Sequence, residues 1–482
     1  MKKQNNVLAK WSVLVVIGIV TASFSLSSSF GQKDPKTLKF PDIEFMPQKP
    51  EIAVIKDGIT FYFKEDSEQP VINGSIILKT GSLFDPTDKT GLASLTMRML
   101  KAGGTKNLTP DELEDKLDFL GSTISSSAGL EFSRISFWTL EKNFYETWNI
   151  LIDILKNPSF DKERFDTEKK KDLESIRRRF DRPMTLAMMV FQELIYGRDF
   201  PEAKRTTTES INNITLEDLN AFYDANIWDK ELIISLTGDF KQAEIISLLK
   251  ARFKEWKSEP ADEPDVPKAE LASKPGVYLI NKPDMTQAVI LMGHLGLNNL
   301  DPDNVEVNVF NFILGTGSFN SRLMREVRSN RGLAYATFGL IGLGRDKGTF
   351  YNFCMTKSQS VGEAVNLIKK IITDMTINPV TAEELEIAKK YEQNAFVHKF
   401  DSPQAVVYQA VFLKLQGYPD DYLETYIPRI KKVDAAKVLE IGQRAVNPDD
   451  LVILVVGRKE AVIDQLKALE LGEITELPLP KE

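Results

Sequence analysis

Two stretches of the chain have nearly the same pattern: Glu231 to Gly238 reads ELIISLTG, and Asp450 to Gly457 reads DLVILVVG. Each is an apolar run rich in β-branched residues that ends in glycine, which is typical of a buried strand. Each follows a stretch of helical periodicity that begins near Thr215 or Asp434. The two strands start 219 residues apart. This spacing indicates an internal duplication.

A second pair of landmarks gives a similar spacing. Asn157-Pro158 follows the apolar helical run from Trp148 to Leu155, and Asn378-Pro379 follows the run from Ala364 to Met375. The offset is 221 residues, and an acidic, lysine-rich helical stretch comes next in both cases. Strand-like and helical runs alternate in each half. We therefore predict an α+β fold of two tandem homologous halves, each with helices packed on a largely antiparallel sheet.

The stretch between the halves is rich in Pro, Glu and Asp and lacks apolar periodicity (EWKSEPADEPDVPKAELASKP, ending at Pro275). Such a composition is typical of an extended linker. We predict a signal peptide at 1–31, a first half at 50–255, a linker at 256–275 and a second half at 276–470.

The composition excludes several classes of protein. The chain has 482 residues, a net charge of −8, one cysteine and two histidines. A single cysteine excludes an internal disulfide framework and a cysteine-based zinc cluster. The two histidines, His294 and His398, are too far apart for a local metal-binding pair. The acidic balance makes the chain a poor binder of nucleic acid.

The N-terminus has the pattern of a secretory signal. Three lysines and no acidic residue accompany the apolar run from Trp11 to Val20, and small residues follow at Ser29 and Gly31. The pattern predicts export to a periplasmic or other extracytoplasmic space, with cleavage before Gln32. The alternative is an uncleaved membrane anchor, although the run is shorter than the ~20 residues of a typical span. Any membrane contact is expected through this segment alone.

The segment from Gly81 to Thr105 (GSLFDPTDKTGLASLTMRMLKAGGT) resembles the zinc-binding region of the inverzincin peptidases, a family that includes pitrilysin, insulysin and mitochondrial processing peptidase. Active members carry His-x-x-Glu-His on a helix here, so that two imidazoles bind one zinc ion and the glutamate acts as general base. The matching positions in this chain hold Ser94, Met97 and Arg98. None of the three can replace the lost groups, because a permanent positive charge opposes a dication and methionine cannot take a proton.

Helical periodicity places Leu92, Leu95 and Met99 on a core face and the three replaced positions on the opposite face. The resemblance puts Ser175 at the family's remaining glutamate ligand, with Glu174 adjacent. A shift of one residue would restore the carboxylate, but one carboxylate cannot hold zinc alone. We interpret the surrounding stretch from Lys169 to Arg179 as a solvated charged helix.

The second half contains the most specific match to the family. LGTGSFNSRL starts at Leu314 and EVRSNRGLAY ends at Tyr335. The resemblance implies that Arg328 and Tyr335 reach across to bind the substrate backbone and stabilise the tetrahedral intermediate. A guanidinium and a phenol are suitable donors for an oxyanion. Gly315-x-Gly317 is a turn into a helix rather than a phosphate loop, because no Gly-Lys-Ser/Thr follows it.

The resemblance spans roughly Ile52 to Gly457 and predicts a chain that is no peptidase on its own and carries no cofactor. In heteromeric members, one subunit holds the zinc and the other supplies the arginine–tyrosine pair. The leading hypothesis is therefore an exported non-catalytic subunit that pairs with a zinc-bearing homologous subunit, with a peptide as substrate. The alternative is a non-proteolytic peptide-binding or scaffold protein, similar to the family-related core subunits of respiratory complexes.

Three further residues are given no functional role. His294 lies in a strand-like run and His398 in a helical run, and we interpret both as packing or surface residues. Cys354 lies between Phe353 and Met355, so we expect a buried small residue rather than a nucleophile.

Overall fold

The computed structural model describes residues 44–480, and the predicted signal segment at 1–31 lies outside them. Within the described residues, no helix is both long enough and apolar enough to span a membrane.

The first half is built on a six-stranded sheet in the order β1-β2-β6-β3-β5-β4. Only β2 and β6 pair in parallel, so the sheet is largely antiparallel. Its strands are β1 (Glu51–Lys56), β2 (Ile59–Glu65), β3 (Val71–Leu78), β4 (Thr123–Ala128), β5 (Ser133–Leu140) and β6 (Leu232–Gly238).

Eight α-helices belong to the described part of the first half. They are α1 (Leu92–Ala102), α2 (Pro110–Leu120), α3 (Phe144–Lys156), α4 (Lys162–Arg178), α5 (Pro183–Tyr196), α6 (Thr208–Asn213), α7 (Leu216–Asn226) and α8 (Gln242–Arg252). Side-chain caps fix several of the helix starts. Thr109 and Thr215, for example, each accept a hydrogen bond from the backbone N–H three residues ahead and begin a capping box.

The second half is built on another six-stranded sheet, in the order β10-β12-β8-β13-β7-β14, with a separate parallel pair formed by β9 and β11. β7 pairs in parallel with β13 and with β14, and the remaining pairs are antiparallel. The strands are β7 (Gly276–Asn281), β8 (Gln287–Leu295), β9 (Leu297–Asn298), β10 (Ala334–Ile341), β11 (Leu343–Gly344), β12 (Thr349–Lys357), β13 (Val452–Gly457) and β14 (Ile474–Leu477).

The helices of the second half include two π-helical segments, Phe312–Thr316 and Met324–Asn330. The α-helices are α9 (Val307–Asn311), α10 (Val361–Ile377), α11 (Ala382–Val397), α12 (Pro403–Leu415), α13 (Tyr422–Lys432), α14 (Ala435–Ala445) and α15 (Lys459–Lys467).

The two strands that predicted the duplication occupy equivalent places. β6 lies between β2 and β3, and β13 lies between β7 and β8. The likeness extends to single side chains: the ammonium of Lys169 donates to the carbonyl oxygen of Ile214 at 2.7 Å, and Lys389 donates to that of Val433 at 2.8 Å. The predicted α+β fold of two similar halves is confirmed.

Each half contributes one helix that packs on the sheet of the other half. Helix α5 of the first half packs Leu186 and Val190 into an apolar cluster with Val289, Leu291 and other residues of the second sheet. Helix α12 of the second half packs Val407 and Val411 against Tyr62 and Ile77 of the first sheet. Each sheet is therefore covered on one face by its own helices and on the other by a helix from the opposite half.

Candidate functional site

The helix at the degenerate metal site begins with a buried carboxylate. Asp85 accepts hydrogen bonds from the backbone N–H groups of Gly91 and Ala93, both at 2.7 Å, at the positive end of α1. Burial raises the pKa of Asp85 to about 6, against the effect of these hydrogen bonds. Gly91 has a φ of 107°, which favours glycine. This arrangement fixes the start of the helix.

The three replaced positions are not all on an open face. Ser94 is half-buried, but Met97 is fully buried in the core of the first half. The hydroxyl of Ser126 on β4 donates to the carbonyl oxygen of Met97 at 2.5 Å. The expectation that Met97 lies opposite the core face is wrong, because α1 packs between β4 on one side and α4 and α7 on the other.

Arg98 forms a charged bridge to helix α4. Its Nε lies 3.2 Å from a carboxylate oxygen of Glu168, and its Nη2 lies 2.5 Å from one of Asp172. Glu168 and Asp172 are four residues apart, so both carboxylates lie on the face of α4 that faces Arg98. Burial alone would raise the pKa of Glu168, but hydrogen bonds and charges from Lys171 and Arg98 hold it below its ordinary value.

The two positions chosen from the sequence on α4 lie elsewhere. Ser175 is exposed. Glu174 pairs with Arg177 at 3.1 Å and with Arg178 at 2.5 Å along its own helix. Sequence reasoning therefore missed the carboxylates that meet Arg98. Their four-residue spacing was the available signal, but it lay within a run crowded with charges.

The residues at this site do not fit zinc. A guanidinium occupies the space between the two carboxylates, and neither serine nor buried methionine supplies a strong ligand. In residues 44–480, no three His, Cys, Asp or Glu side chains are grouped so that they could hold a metal ion. This arrangement is compatible with a chain that carries no zinc of its own.

Arg328 lies in the π-helical segment Met324–Asn330 of the second half. π-Helical turns occur frequently at functional sites. The guanidinium of Arg328 lies 5.3 Å from the ring centroid of Phe319, whose side chain is itself exposed. No carboxylate in the described part of the chain forms an ion pair with Arg328, so its positive charge is available to another group.

Tyr335 is the extra residue of a β-bulge at the sheet edge. Its neighbours Ala334 and Ala336 pair with the consecutive residues Thr356 and Met355 of β12, which leaves Tyr335 unpaired. Bulges redirect side chains and are common next to active sites. The side chain of Tyr335 is 72% exposed. The bulge therefore presents the phenol to the outside of the sheet.

A tight turn connects the two residues. The N–H of Gly332 donates to the carbonyl oxygen of Arg328 at 3.0 Å, and the N–H of Leu333 donates to that of Val327 at 2.9 Å. Gly332 has a φ of 63°, in the left-handed region that suits glycine. The structure thus brings Arg328 and Tyr335 to one end of the second sheet, on either side of this turn.

A buried ion-pair network holds this region in place, and sequence reasoning did not identify it. Arg322, which is 8% exposed, donates to Glu384 of α11 at 2.8 Å and to Asp374 of α10 at 2.7 Å. Arg325 also reaches Glu384, at 3.3 Å. Burial would raise the pKa of Glu384, but the hydrogen bonds and the charge of Arg322 lower it to about 2. The Nε and Nη2 atoms of Arg322 each donate to one carboxylate oxygen of Glu384, so this contact is bidentate. Together with the contact to Asp374, it fixes the segment before Arg328 to two helices.

The remaining candidates are structural. The ring of His294 is buried, with Nδ1 2.7 Å from the carbonyl oxygen of Leu295 and Nε2 accepting from the N–H of Asn447 at 2.9 Å. Burial lowers its pKa. Cys354 is buried as predicted, and burial raises the pKa of its thiol to about 12. A thiol of that pKa is not a nucleophile at neutral pH. His398 is exposed.

Comparison with known families identifies the class of protein. Residues 61–195 match the family described as Insulinase (Peptidase family M16), and residues 213–391 match the Peptidase M16 inactive domain. Together the two matches cover more than half of the chain. The chain belongs to the M16 peptidase family, which confirms the resemblance seen in the sequence.

Individual relatives agree with this assignment. The chain is 25% identical to the non-peptidase homolog YmxG of Helicobacter pylori over 79% of this chain and 87% of the relative. It is 20% identical to the probable mitochondrial-processing peptidase subunit beta of Arabidopsis thaliana, over 84% of this chain and 78% of the relative. The crystal structure of a peptidase M16 inactive domain from Pseudomonas fluorescens superposes with a TM-score of 0.74 at 23% identity, over 85% of this chain and 98% of that one. The chain is a catalytically incomplete member of the family.

Proposed function

We propose that this chain is an exported, zinc-free subunit that pairs with a zinc-bearing homologue and contributes Arg328 and Tyr335 to the cleavage of a peptide bond there. The observation that carries the proposal is an asymmetry between the halves. At the positions that the resemblance matches to the zinc site, Arg98 is ion-paired with Glu168 and Asp172. In contrast, Arg328 is half-buried and forms no ion pair with a described carboxylate, and Tyr335 is 72% exposed.

The chemistry of the accessible pair supports a role in binding an oxyanion. A guanidinium supplies a fixed positive charge, and a phenol supplies a directed hydrogen bond. Donors of this kind stabilise the negative charge that develops on a peptide carbonyl oxygen during cleavage. The bulge at Tyr335 and the network behind Arg328 hold the backbone of both residues, so little reorganisation is needed when a substrate arrives.

The alternative is a non-proteolytic peptide-binding or scaffold protein. The name of the Helicobacter pylori relative, a non-peptidase homolog, favours it. In that case the chain would still assemble with partners, but Arg328 and Tyr335 would not influence any cleavage.

The test uses the mature chain and a homologue from the same genome with an intact His-x-x-Glu-His motif. The two are purified separately and together, complex formation is followed by gel filtration, and cleavage of a fluorogenic peptide library is measured. We expect a stable complex that cleaves peptides faster than either chain alone and holds one zinc per pair. A homologue that cleaves equally well without this chain, or that forms no complex with it, would overturn the proposal.

A further inference from the structure

A cavity of about 230 Å³ lies between the first sheet and helix α12, which crosses it from the second half. Ser75 on β3 lies opposite Ser235 on β6 and Ser136 on β5, so three serines form a row across three neighbouring strands. The hydroxyls of Ser75 and Ser235 lie 2.8 Å apart. Residues that alternate along a strand share a face, so the floor of the cavity is rich in hydroxyl groups.

A further hydroxyl on this face of the sheet, that of Thr237, lacks a hydrogen-bond partner. Thr237, two residues beyond Ser235 on the same face, is 3% exposed. Its Oγ1 is buried and forms no hydrogen bond with any described residue. Asn73 lies directly opposite Thr237 and also lines the cavity. A buried hydroxyl without a partner destabilises the fold unless a water or a ligand satisfies it.

Among the described residues that line the cavity, Arg134 is the only one with a charged side chain. Its guanidinium lies 5.5 Å from the ring centroid of Tyr408 on α12. No carboxylate within residues 44–480 forms an ion pair with it. The cavity therefore combines one uncompensated positive charge with hydroxyl and amide groups that can donate hydrogen bonds.

We propose that this cavity binds the carboxylate of a small organic ligand, either the C-terminus of a short peptide or a free small acid. The single charge of Arg134 matches the single charge of a carboxylate, and a guanidinium binds a carboxylate through parallel hydrogen bonds. The hydroxyls of Thr237 and Ser136 donate to the same group or to its neighbouring atoms. The volume corresponds to about eight water molecules, which suits one amino-acid residue. The proposal does not depend on zinc, on a partner subunit or on Arg328 and Tyr335.

The test uses isothermal titration calorimetry on the mature chain with matched pairs of probes. N-Acetylalanine and its amide differ in one carboxylate, as do trialanine and its C-terminal amide. We expect both acids to bind and both amides to bind at least tenfold more weakly. Tighter binding of trialanine than of N-acetylalanine identifies a peptide C-terminus as the ligand, and equal binding identifies a small acid. Equal affinity for the acids and the amides would overturn the proposal. So would the absence of detectable binding of either acid at a ligand concentration of about 10 mM.

Two variants place the binding in this cavity. Arg134→Gln should weaken binding of the acids at least tenfold, whereas Arg177→Gln makes the same change of charge on an exposed surface and should leave binding unchanged. Thr237→Val should also weaken binding, while the free protein should unfold at an equal or higher temperature, because the substitution removes an unpartnered hydroxyl. Undiminished binding by both cavity variants would show that the acids bind elsewhere.

Discussion

The Nη2 atom of Arg98 lies 2.5 Å from the carboxylate of Asp172, and this contact joins α1 to α4. The same guanidinium reaches Glu168 through its Nε. One cation thus pairs with two acidic side chains on adjacent turns of α4, and Lys171 also pairs with Glu168. Arg98, which the resemblance matches to a zinc-ligand position of active members, forms a structural contact between α1 and α4.

The first prediction concerns the strength of this joint. Arg98→Ala removes the cation between Glu168 and Asp172 and leaves Lys171 as the remaining partner of Glu168. Both carboxylates are largely shielded from solvent, at 12% and 23% exposure. We expect the free energy of unfolding to fall by about 1–2 kcal/mol, since the pair is partly solvated. Urea unfolding measures the change. Arg177→Ala, which removes an exposed ion pair on the same helix, should change stability by less than about 0.5 kcal/mol. Equal effects of the two substitutions would contradict a structural role for Arg98.

The second prediction concerns metal content. Ser94, Met97 and Arg98 offer no ligand set for zinc, so the purified mature chain should contain no stoichiometric zinc after extensive dialysis. Elemental analysis by mass spectrometry is the measurement. One tightly held zinc ion per chain would refute this interpretation of the site.

The duplicated fold could be predicted because two buried strands at a fixed spacing are visible in the sequence. The packing of one helix from each half on the sheet of the other half could not be predicted. Pro183–Tyr196 and Pro403–Leu415 are both apolar helices, and nothing local in either specifies which sheet it covers. That choice is made by the fit of both halves together, which is a property of the tertiary structure.

The candidate site could also be predicted only in part from the sequence. Arg328 and Tyr335 stand in a motif that can be recognised, but the bulge that exposes Tyr335 depends on the pairing of β10 with β12 and leaves no mark in the sequence. The partners of Arg98 lie about 70 residues downstream in a stretch with a charge at most positions. Only the packing of α1 on α4 decides which of those charges meets Arg98.

The third prediction concerns pH. Burial lowers the pKa of His294 below its ordinary value of 6.5, so the unfolded chain takes up this proton before the folded chain does. The contribution of His294 to the free energy of unfolding is therefore constant above about pH 7. Stability should fall as the pH drops below 6.5 towards the folded-state pKa. Urea unfolding at several pH values should show a smaller decrease for His294→Gln than for the wild type. His398→Gln makes the same substitution at an exposed position and is the matched control. An unchanged profile in His294→Gln would contradict this role.

The fourth prediction concerns export. The N-terminal lysines, apolar run and small residues predict cleavage before Gln32. The intact mass of the protein from the extracytoplasmic fraction should correspond to a chain that begins at Gln32. Recovery of the protein in the cytoplasm with Met1 retained would contradict the prediction.

The fifth prediction is also the most direct test of the proposed function. It concerns the peptide turnover of the reconstituted pair when Arg328 or Tyr335 is substituted. Tyr335→Phe removes one hydroxyl from an exposed side chain and should leave assembly intact. The loss of one oxyanion donor typically costs ~3 kcal/mol, or ~10²-fold in kcat, and Arg328→Ala should be at least as damaging. Tyr145→Phe is the matched control, because its phenol is also exposed and bonds to Glu244 elsewhere on the first half.

Steady-state peptide cleavage is measured for each pair, and gel filtration confirms that every complex forms. We predict a large loss of kcat in both site variants and wild-type turnover in Tyr145→Phe. Wild-type turnover in both Tyr335→Phe and Arg328→Ala would contradict a role in catalysis and would favour the non-proteolytic scaffold.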